Sequence, residues 1–211
     1  MIIEHIILNN TFLLSADRCV FWQEKKILIL SDLHLGKAGH FRKAGIPIPQ
    51  TVLKVVTQIQ LFKPERIIIV GDLFHSKSNK EHELFLKWRN DFSYLPIELV
   101  KGNHDILQPV WYRAAGITIH SHKLTIDDFS FTHDNTECDF IENTYTFCGH
   151  IHPGILLKGV GRQSIQLPCF YFAANYAVLP AFGRFTGTAR IAPKPSDHIF
   201  VIIKNELVKI Q

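Results

Sequence analysis

Carboxylate, amide and imidazole side chains recur in short motifs along the chain: Asp32-Leu33-His34, Gly71-Asp72, Gly102-Asn103-His104-Asp105, His133, and Gly149-His150-Ile151-His152. Nearly all of them follow a short apolar run, where a strand would end and a loop begin. Two carboxylates, one neutral amide oxygen and several imidazoles gathered at one sheet edge make the ligand set for a pair of divalent cations.

In extended backbone, residues two apart share a side, so Asp32 and His34 can face one ion while Leu33 turns inward. Asp72 stands at the end of the run Arg66–Val70, where Gly71 lets the chain turn tightly and leaves a carboxylate able to bridge two ions. Asn103 offers a carbonyl oxygen without charge, and the adjacent His104 would be held close to the ions without ligating them. His133 follows Phe129–Thr132. His150 and His152, two apart after Tyr145–Cys148, can project together, with Gly149 removing a side chain that would crowd them. Taken singly, each motif has a plainer reading as a turn or cap carboxylate, an Asx turn, or a satisfied histidine. Their shared placement after strand-like runs is what argues for one centre.

The elements that must hold these groups alternate in type. Gln50 to Phe62 sets Val52, Val55, Val56, Ile59 and Phe62 on one helical face, and Pro64 closes it. A second helix is expected from Ser78, which has capping-box spacing to Glu81, with Leu84, Phe85 and Trp88 turned to a core. Lys26–Leu30, Arg66–Val70 and Ile97–Val100 read as buried strands. Beyond Gly116, the strand-like pieces Ile117–Ile119, Lys123–Ile126, Phe129–Thr132, Tyr145–Cys148, Ser164–Phe172 and His198–Lys209 follow one another without a long helix. An α/β half is therefore expected to join a β-rich half.

With 211 residues, 46% of them hydrophobic, a single domain spanning 1–211 with no separate capping domain is the expectation. A net charge of +4 and a pI near 8.9 are compatible with a phosphate-bearing partner but fall short of a nucleic-acid-coating protein. Cys19, Cys138, Cys148 and Cys169 form no C-x-x-C pair, which indicates neither a thiolate zinc site nor a redox dithiol. No basic leader precedes the core and no apolar stretch is long enough to span a bilayer, so a cytoplasmic protein without a membrane partner is expected.

The order D-x-H, G-D, G-N-H-D, H and G-H-x-H resembles the calcineurin-like metallophosphoesterase superfamily. More narrowly, Cys19–Trp22, Ser31–Pro49, Gly149–Pro153, Leu167–Phe170 and Leu179–Gly187 resemble the DNA-ligase-associated metallophosphoesterases (PdeM-like). The resemblance implies a four-layer α/β fold, two packed β-sheets flanked by helices, with the site at the strand ends. It implies one ion on Asp32, His34, Asp72 and His152, a second on Asp72, Asn103, His133 and His150, and His104 as the catalytic histidine at the substrate phosphate. It also implies manganese as the usual metal, and a DNA ligase, a helicase and an exonuclease as functional neighbours. Gly71-Asp72-Leu73-Phe74-His75 further resembles the double-strand-break repair nucleases of the superfamily, where the histidine lies near the phosphate. His75 either takes that place or is a loop histidine paired with a carboxylate.

The electrostatics of such a centre are self-consistent. Two dications bring about four positive charges, and Asp32, Asp72 and a bridging hydroxide remove about three, leaving roughly one for a phosphodiester anion. Mixed imidazole and oxygen ligands suit Mn²⁺, Fe²⁺ or Zn²⁺ better than an all-oxygen Mg²⁺ site. A general acid at His104 would contribute about 10²–10⁴-fold by protonating the leaving oxygen. Lys37, His40, Arg42 and Lys43 either meet phosphates flanking the scissile one or form a solvated basic loop. The expected function is a binuclear phosphodiesterase acting on DNA, on single strands or ends because no capping domain is foreseen. The alternatives are a phosphoesterase for a nucleotide, a lipid-linked pyrophosphate or a phosphoprotein, and a scaffold that has lost catalysis; the complete ligand set speaks against the last.

Overall fold

The computed structural model of the chain describes residues 1–35, 50–75, 80–137, 141–161, 163–184 and 186–211. A seven-stranded sheet comes first in the chain, with β1 (Ile2–Ile7), β2 (Asn10–Ser15), β3 (Cys19–Trp22), β4 (Ile27–Ser31), β5 (Arg66–Val70), β6 (Ile97–Val100) and β7 (Ile117–His120) side by side in that order. The first four form an antiparallel meander, whereas β4 to β7 run parallel. Parallel neighbours need crossovers, and α1 (Gln50–Phe62), α2 (Lys80–Asp91) and α3 (Pro109–Ala114) lie in those connections. The register pairs Ser31 with Val70 and Val70 with Val100. The residues that follow these three strands therefore emerge together at one sheet edge, where open α/β sheets place their sites.

The second sheet has the order β14-β11-β12-β13-β10-β9-β8, with β15 pairing β12 and β16. Its strands are β8 (Lys123–Ile126), β9 (Phe129–Thr132), β10 (Tyr145–Cys148), β11 (Pro153–Lys158), β12 (Ser164–Phe172), β13 (Tyr176–Val178), β14 (Ala189–Arg190), β15 (His198–Ile203) and β16 (Glu206–Lys209). β9, β10 and β13 are parallel, so His133 and Gly149 leave neighbouring strands at the same end. The expected strand His198–Lys209 is a hairpin, because Lys204, at φ +56°, turns the chain between β15 and β16.

Strand alternation explains the unbroken apolar runs. Ile27, Ile29, Ile68 and Val70 join Phe12, Trp22, Phe129, Phe147, Phe170 and Phe200 between the sheets. Leu28, Leu30, Ile67, Ile69 and Leu99 face the other way, against Val52, Val55 and Ile59 of α1, Phe85 of α2 and Tyr112 of α3. Both faces of the first sheet are thus covered, as near-continuous hydrophobic strands require. Trp22 meets Phe129 edge-on with ring centroids 4.7 Å apart, and truncating such a buried ring costs about 3–5 kcal/mol. A smaller cluster of Cys169, Ile191, Ile199 and Val201 lies against the second sheet.

α1 buries Val52, Val55 and Ile59 of the expected face, leaves Val56 and Phe62 half-buried, and also buries Gln58, which donates to Asp17 Oδ2 at 3.0 Å. α2 begins at Lys80, with Phe85 buried and Trp88 packed on the core, while Leu84 is only half-buried; Ser78 lies outside the described residues. Among the described residues no helix is long and apolar enough to cross a membrane.

Candidate metal centre

The loops after β4, β5, β9 and β10 meet at the sheet edge. Backbone hydrogen bonds join the first two: Asp32 N donates to Gly71 O at 3.1 Å, His34 N to Asp72 O at 2.9 Å, and Leu35 N to Leu73 O at 3.0 Å. The segment Leu179–Arg184 braces the same loop from the other side, with Phe182 N donating to Ser31 O at 2.8 Å and Gly183 N to Asp32 O at 3.1 Å. Leu179 and Phe182 are buried, so this stretch both packs the core and positions the site.

The extended geometry expected for Asp32 and His34, and for His150 and His152, is not what the chain adopts. Asp32, His34, Asp72, His150 and His152 have φ of 51°, 47°, 51°, 68° and 49°, in the left-handed region. That conformation costs a non-glycine residue roughly 1–2 kcal/mol, and such residues concentrate at functional sites. Left-handed turns replace strand alternation, and they still aim the paired side chains into one space.

Two clusters result. In the first, Asp32, His34 and His152 offer ligand atoms that all lie within 4.8 Å of one another. His34 Nε2 is 3.3 Å from His152 Nε2, and His152 Nε2 is 3.3 Å from Asp32 Oδ1. In the second, His133 Nε2 is 3.1 Å from Asn103 Oδ1 and 3.2 Å from His150 Nδ1. Asp72 Oδ2 lies between them, 3.8 Å from His34 Nε2 and 3.6 Å from His133 Nε2. Asp32, His34, Asp72 and His133 are buried, His150 and His152 half-buried, and Asn103 is exposed.

Outer partners fix how these groups present themselves. His152 Nδ1 faces Gly187 O at 3.2 Å and His133 Nδ1 faces Val70 O at 3.3 Å. A carbonyl only accepts, so each Nδ1 carries the proton and each Nε2 turns a lone pair inward. His150 Nε2 is 3.8 Å from Asp134 Oδ2, which leaves Nδ1 to the cluster. Ser31 donates its hydroxyl to Asp32 Oδ2, and His150 N donates to the same oxygen at 3.1 Å. Burial pushes the Asp32 carboxyl up, but His152 and His133 in their protonated forms, together with the Ser31 hydroxyl, outweigh it and hold it below the usual carboxylate range.

The centre is therefore rich in acceptors and poor in donors. Asp32 Oδ1 is buried and accepts no hydrogen bond from any described residue. Inward lone pairs, two carboxylates and an amide oxygen are the donor set that divalent cations satisfy, so the residues fit the metals that the motifs imply.

Close approach requires glycine at positions 71 and 149. A Cβ on Gly71, which has φ +75°, would lie 1.8 Å from His133 Nδ1, and one on Gly149 would lie 1.9 Å from Ser31 Oγ and 2.4 Å from Asp32 Oδ2. What Gly149 spares is thus the loop that carries Ser31 and Asp32, rather than the crowding of His150 and His152 anticipated from the sequence.

His104 N donates to Asp72 Oδ1 at 2.9 Å, while its ring stands 5.5 Å from that of His34 and 4.9 Å from that of His75. His75 thereby lies at the rim of the centre, its backbone N–H donating to Leu35 O at 2.9 Å. Asp105 clasps two loops: Oδ1 accepts from Leu73 N at 3.0 Å and Phe74 N at 3.4 Å, and Oδ2 accepts from Gly102 N at 2.9 Å. Burial raises its carboxyl to about 7, with Asp72 adding to the rise and the Gly102 and Phe74 N–H groups opposing it. Lys37, His40, Arg42 and Lys43 lie outside the described residues. Sequence reasoning passed over Ser31, Asp134 and the carbonyls of Val70 and Gly187, because only the fold shows which groups they orient.

Residues 25–167 match the family model of the calcineurin-like phosphoesterases, and the chain belongs to that family. Its fold is similar to that of the Pseudomonas putida nuclease MPE, with a TM-score of 0.85 at 23% sequence identity and 100% of each chain covered. A second solved structure, Yfce, a phosphoesterase from E. coli, aligns at 11% identity over 87% of this chain and 97% of that one, with a TM-score of 0.49. None of the curated proteins compared with the chain matches it.

Proposed function

We propose that this chain hydrolyses phosphodiester bonds of DNA with the help of two divalent metal ions, manganese in the first instance. The observation that carries the reading is the position of Asp72 Oδ2 between two acceptor clusters, 3.8 Å from His34 Nε2 and 3.6 Å from His133 Nε2. Asp32, His34, His152 and Asp72 would hold one ion, and Asp72, Asn103, His133 and His150 the other. When bound, the ions supply positive charge for the phosphate oxygens and a water acidic enough to attack at neutral pH.

The chain's own residues do the remainder. Gly187 O, Val70 O and Asp134 keep the ligand imidazoles in the tautomer that points a lone pair inward. His104 holds Asp72 through its backbone N–H, which leaves its ring to protonate the leaving oxygen. His75, beside it on the rim, would contact a phosphate oxygen, as would Lys37, His40 and Arg42.

Family membership supports phosphoester hydrolysis, and the similarity to a Pseudomonas putida nuclease supports nucleic acid as substrate. Single strands or ends are the form of DNA proposed as substrate. A DNA ligase, a helicase and an exonuclease are the functional neighbours proposed with it, in the cytoplasm, where the buried free thiols of Cys19 and Cys169 would persist. Hydrolysis of a chromogenic diester, its monoester, and single- and double-stranded DNA by the Mn²⁺-loaded protein tests the proposal. Diester and single-strand cleavage are expected. Strong monoesterase activity with inert DNA would replace DNA by a smaller phosphate ester.

A further inference from the structure

A basic cavity lies beside the ligand loops, at the end of the first sheet where α1 begins. It holds about 180 Å³ and is lined by Gln50, Thr51, Lys54, Phe182 and Arg184. At about 30 Å³ per water it has room for roughly six, enough for a phosphate group. The first turn of α1 carries no acidic residue, so nothing within the helix balances the partial positive charge of its first N–H groups.

Lys54 is the informative member. Its side chain is only 14% exposed, yet its ammonium is 3.8 Å from Asp17 Oδ1 and donates to Phe182 O at a long 3.5 Å. Among the described residues the ammonium also lies over the face of the Phe182 ring, 4.1 Å from its centroid. Asp17 is shared, since its other oxygen accepts from Gln58 at 3.0 Å. Burial pulls the Lys54 ammonium down to about 8, with Asp17 opposing the fall and Arg18 and Arg184 adding to it. Lys54 is thus subject to the charge of two further cations, Arg18 and Arg184, as well as that of Asp17. Arg18 is already engaged, donating to Ala181 O at 3.2 Å and Gly183 O at 3.3 Å. Lys54 and Arg184 are left to face the cavity.

The cavity and the metal centre share a wall. Phe182 N and Gly183 N donate to the carbonyls of Ser31 and Asp32, and the same segment continues to Gly187, whose carbonyl meets His152 Nδ1. A flexible chain of phosphates lying across that wall would meet both.

We propose that this cavity is a phosphate subsite in which Lys54 and Arg184 seat a backbone phosphate of a single strand whose scissile phosphate lies at the metal centre, an assignment that rests on the nuclease reading above. The test is binding. A fluorescein-labelled oligothymidylate with phosphorothioate linkages, which keep the charge and resist hydrolysis, is titrated with the Mn²⁺-loaded protein at several salt concentrations. Wild type is compared with Lys54→Gln, Arg184→Gln and the double variant.

Each single change is expected to weaken binding about 3–10-fold and to reduce the slope of log K against log salt by about 0.7, the double change by about 1.4. Arg184 is exposed, so Arg184→Gln keeps the test readable should Lys54→Gln fail to fold. A double variant with wild-type affinity and slope overturns the subsite alone. A wild type that ignores the strand while cleaving small diesters overturns the subsite and the nuclease reading together.

Discussion

The backbone N–H of His104 donates to Oδ1 of Asp72 at 2.9 Å, so the loop after β6 fixes the carboxylate that ends β5. Oδ2 is thereby turned toward His34 and His133, one from each cluster. Asparagine at 72 keeps the volume but must set an amide N–H either against the His104 N–H or among inward lone pairs. Asp72→Asn is predicted to lower turnover by more than the roughly 10–100-fold typical of an outer-shell change.

Metal binding should appear as stability, because the unfolded chain lacks the converging acceptors. At about 1,000 times its Kd an ion adds about 4.1 kcal/mol, which for a domain of this size raises Tm by about 8–16 °C. Differential scanning fluorimetry with Mn²⁺ and then with a chelator is predicted to show that rise and its reversal. Asp72→Asn should show much less of it, and an equal rise in the variant would remove Asp72 from the centre.

His104→Ala separates backbone from ring. The variant retains the N–H that holds Asp72, so the Mn²⁺-induced rise in Tm is predicted to persist while turnover falls by about 10²–10⁴-fold. Near-normal turnover would mean that the imidazole does not act on the leaving group.

Asp105 is legible only in three dimensions, as the carboxylate that accepts three backbone N–H groups from two loops. Asp105→Asn leaves one side of the clasp with a donor facing a donor. A loss of about 1–3 kcal/mol in urea unfolding is predicted, together with weaker metal binding. Unchanged stability would show that the loops hold without it.

A pH effect is predicted away from the centre. His5 packs 4.4 Å from Phe172 and 5.2 Å from Phe200, ring centroid to centroid, and burial, aided by His198 and Lys209, pulls its imidazole down to about 4. In the unfolded chain the ordinary value of about 6.5 applies, so between those values the unfolded state binds more protons. The contribution of His5 is therefore complete above about pH 6.5 and is lost as the pH falls toward 4. Tm measured from pH 7 to 4.5 should fall less steeply for His5→Phe than for wild type, and parallel curves would contradict the assignment.

The motifs that converge at the sheet edge were legible because each follows an apolar run that ends a strand: Asp32 after β4, Asp72 after β5, Asn103 after β6, His133 after β9, His150 after β10. Strand ends are local facts, and the parallel pairing of β4, β5 and β6 turns sequence spacing into neighbourhood. The left-handed backbone at Asp32 and His152 was not legible, since nothing in either residue type favours φ near 50° without the loops that enforce it. Nor were the orienting partners: Gly187 lies 35 positions from His152 and Val70 lies 63 from His133. Lys54 could be placed on a helix, but its burial against Phe182 depends on a segment far along the chain.

Anomalous scattering from crystals grown with Mn²⁺ tests the central claim most directly. Two peaks are predicted, one among Asp32, His34 and His152, the other among Asn103, His133 and His150, with Asp72 between them. A single peak, or ions lying away from Asp72, would contradict a binuclear centre built on that carboxylate.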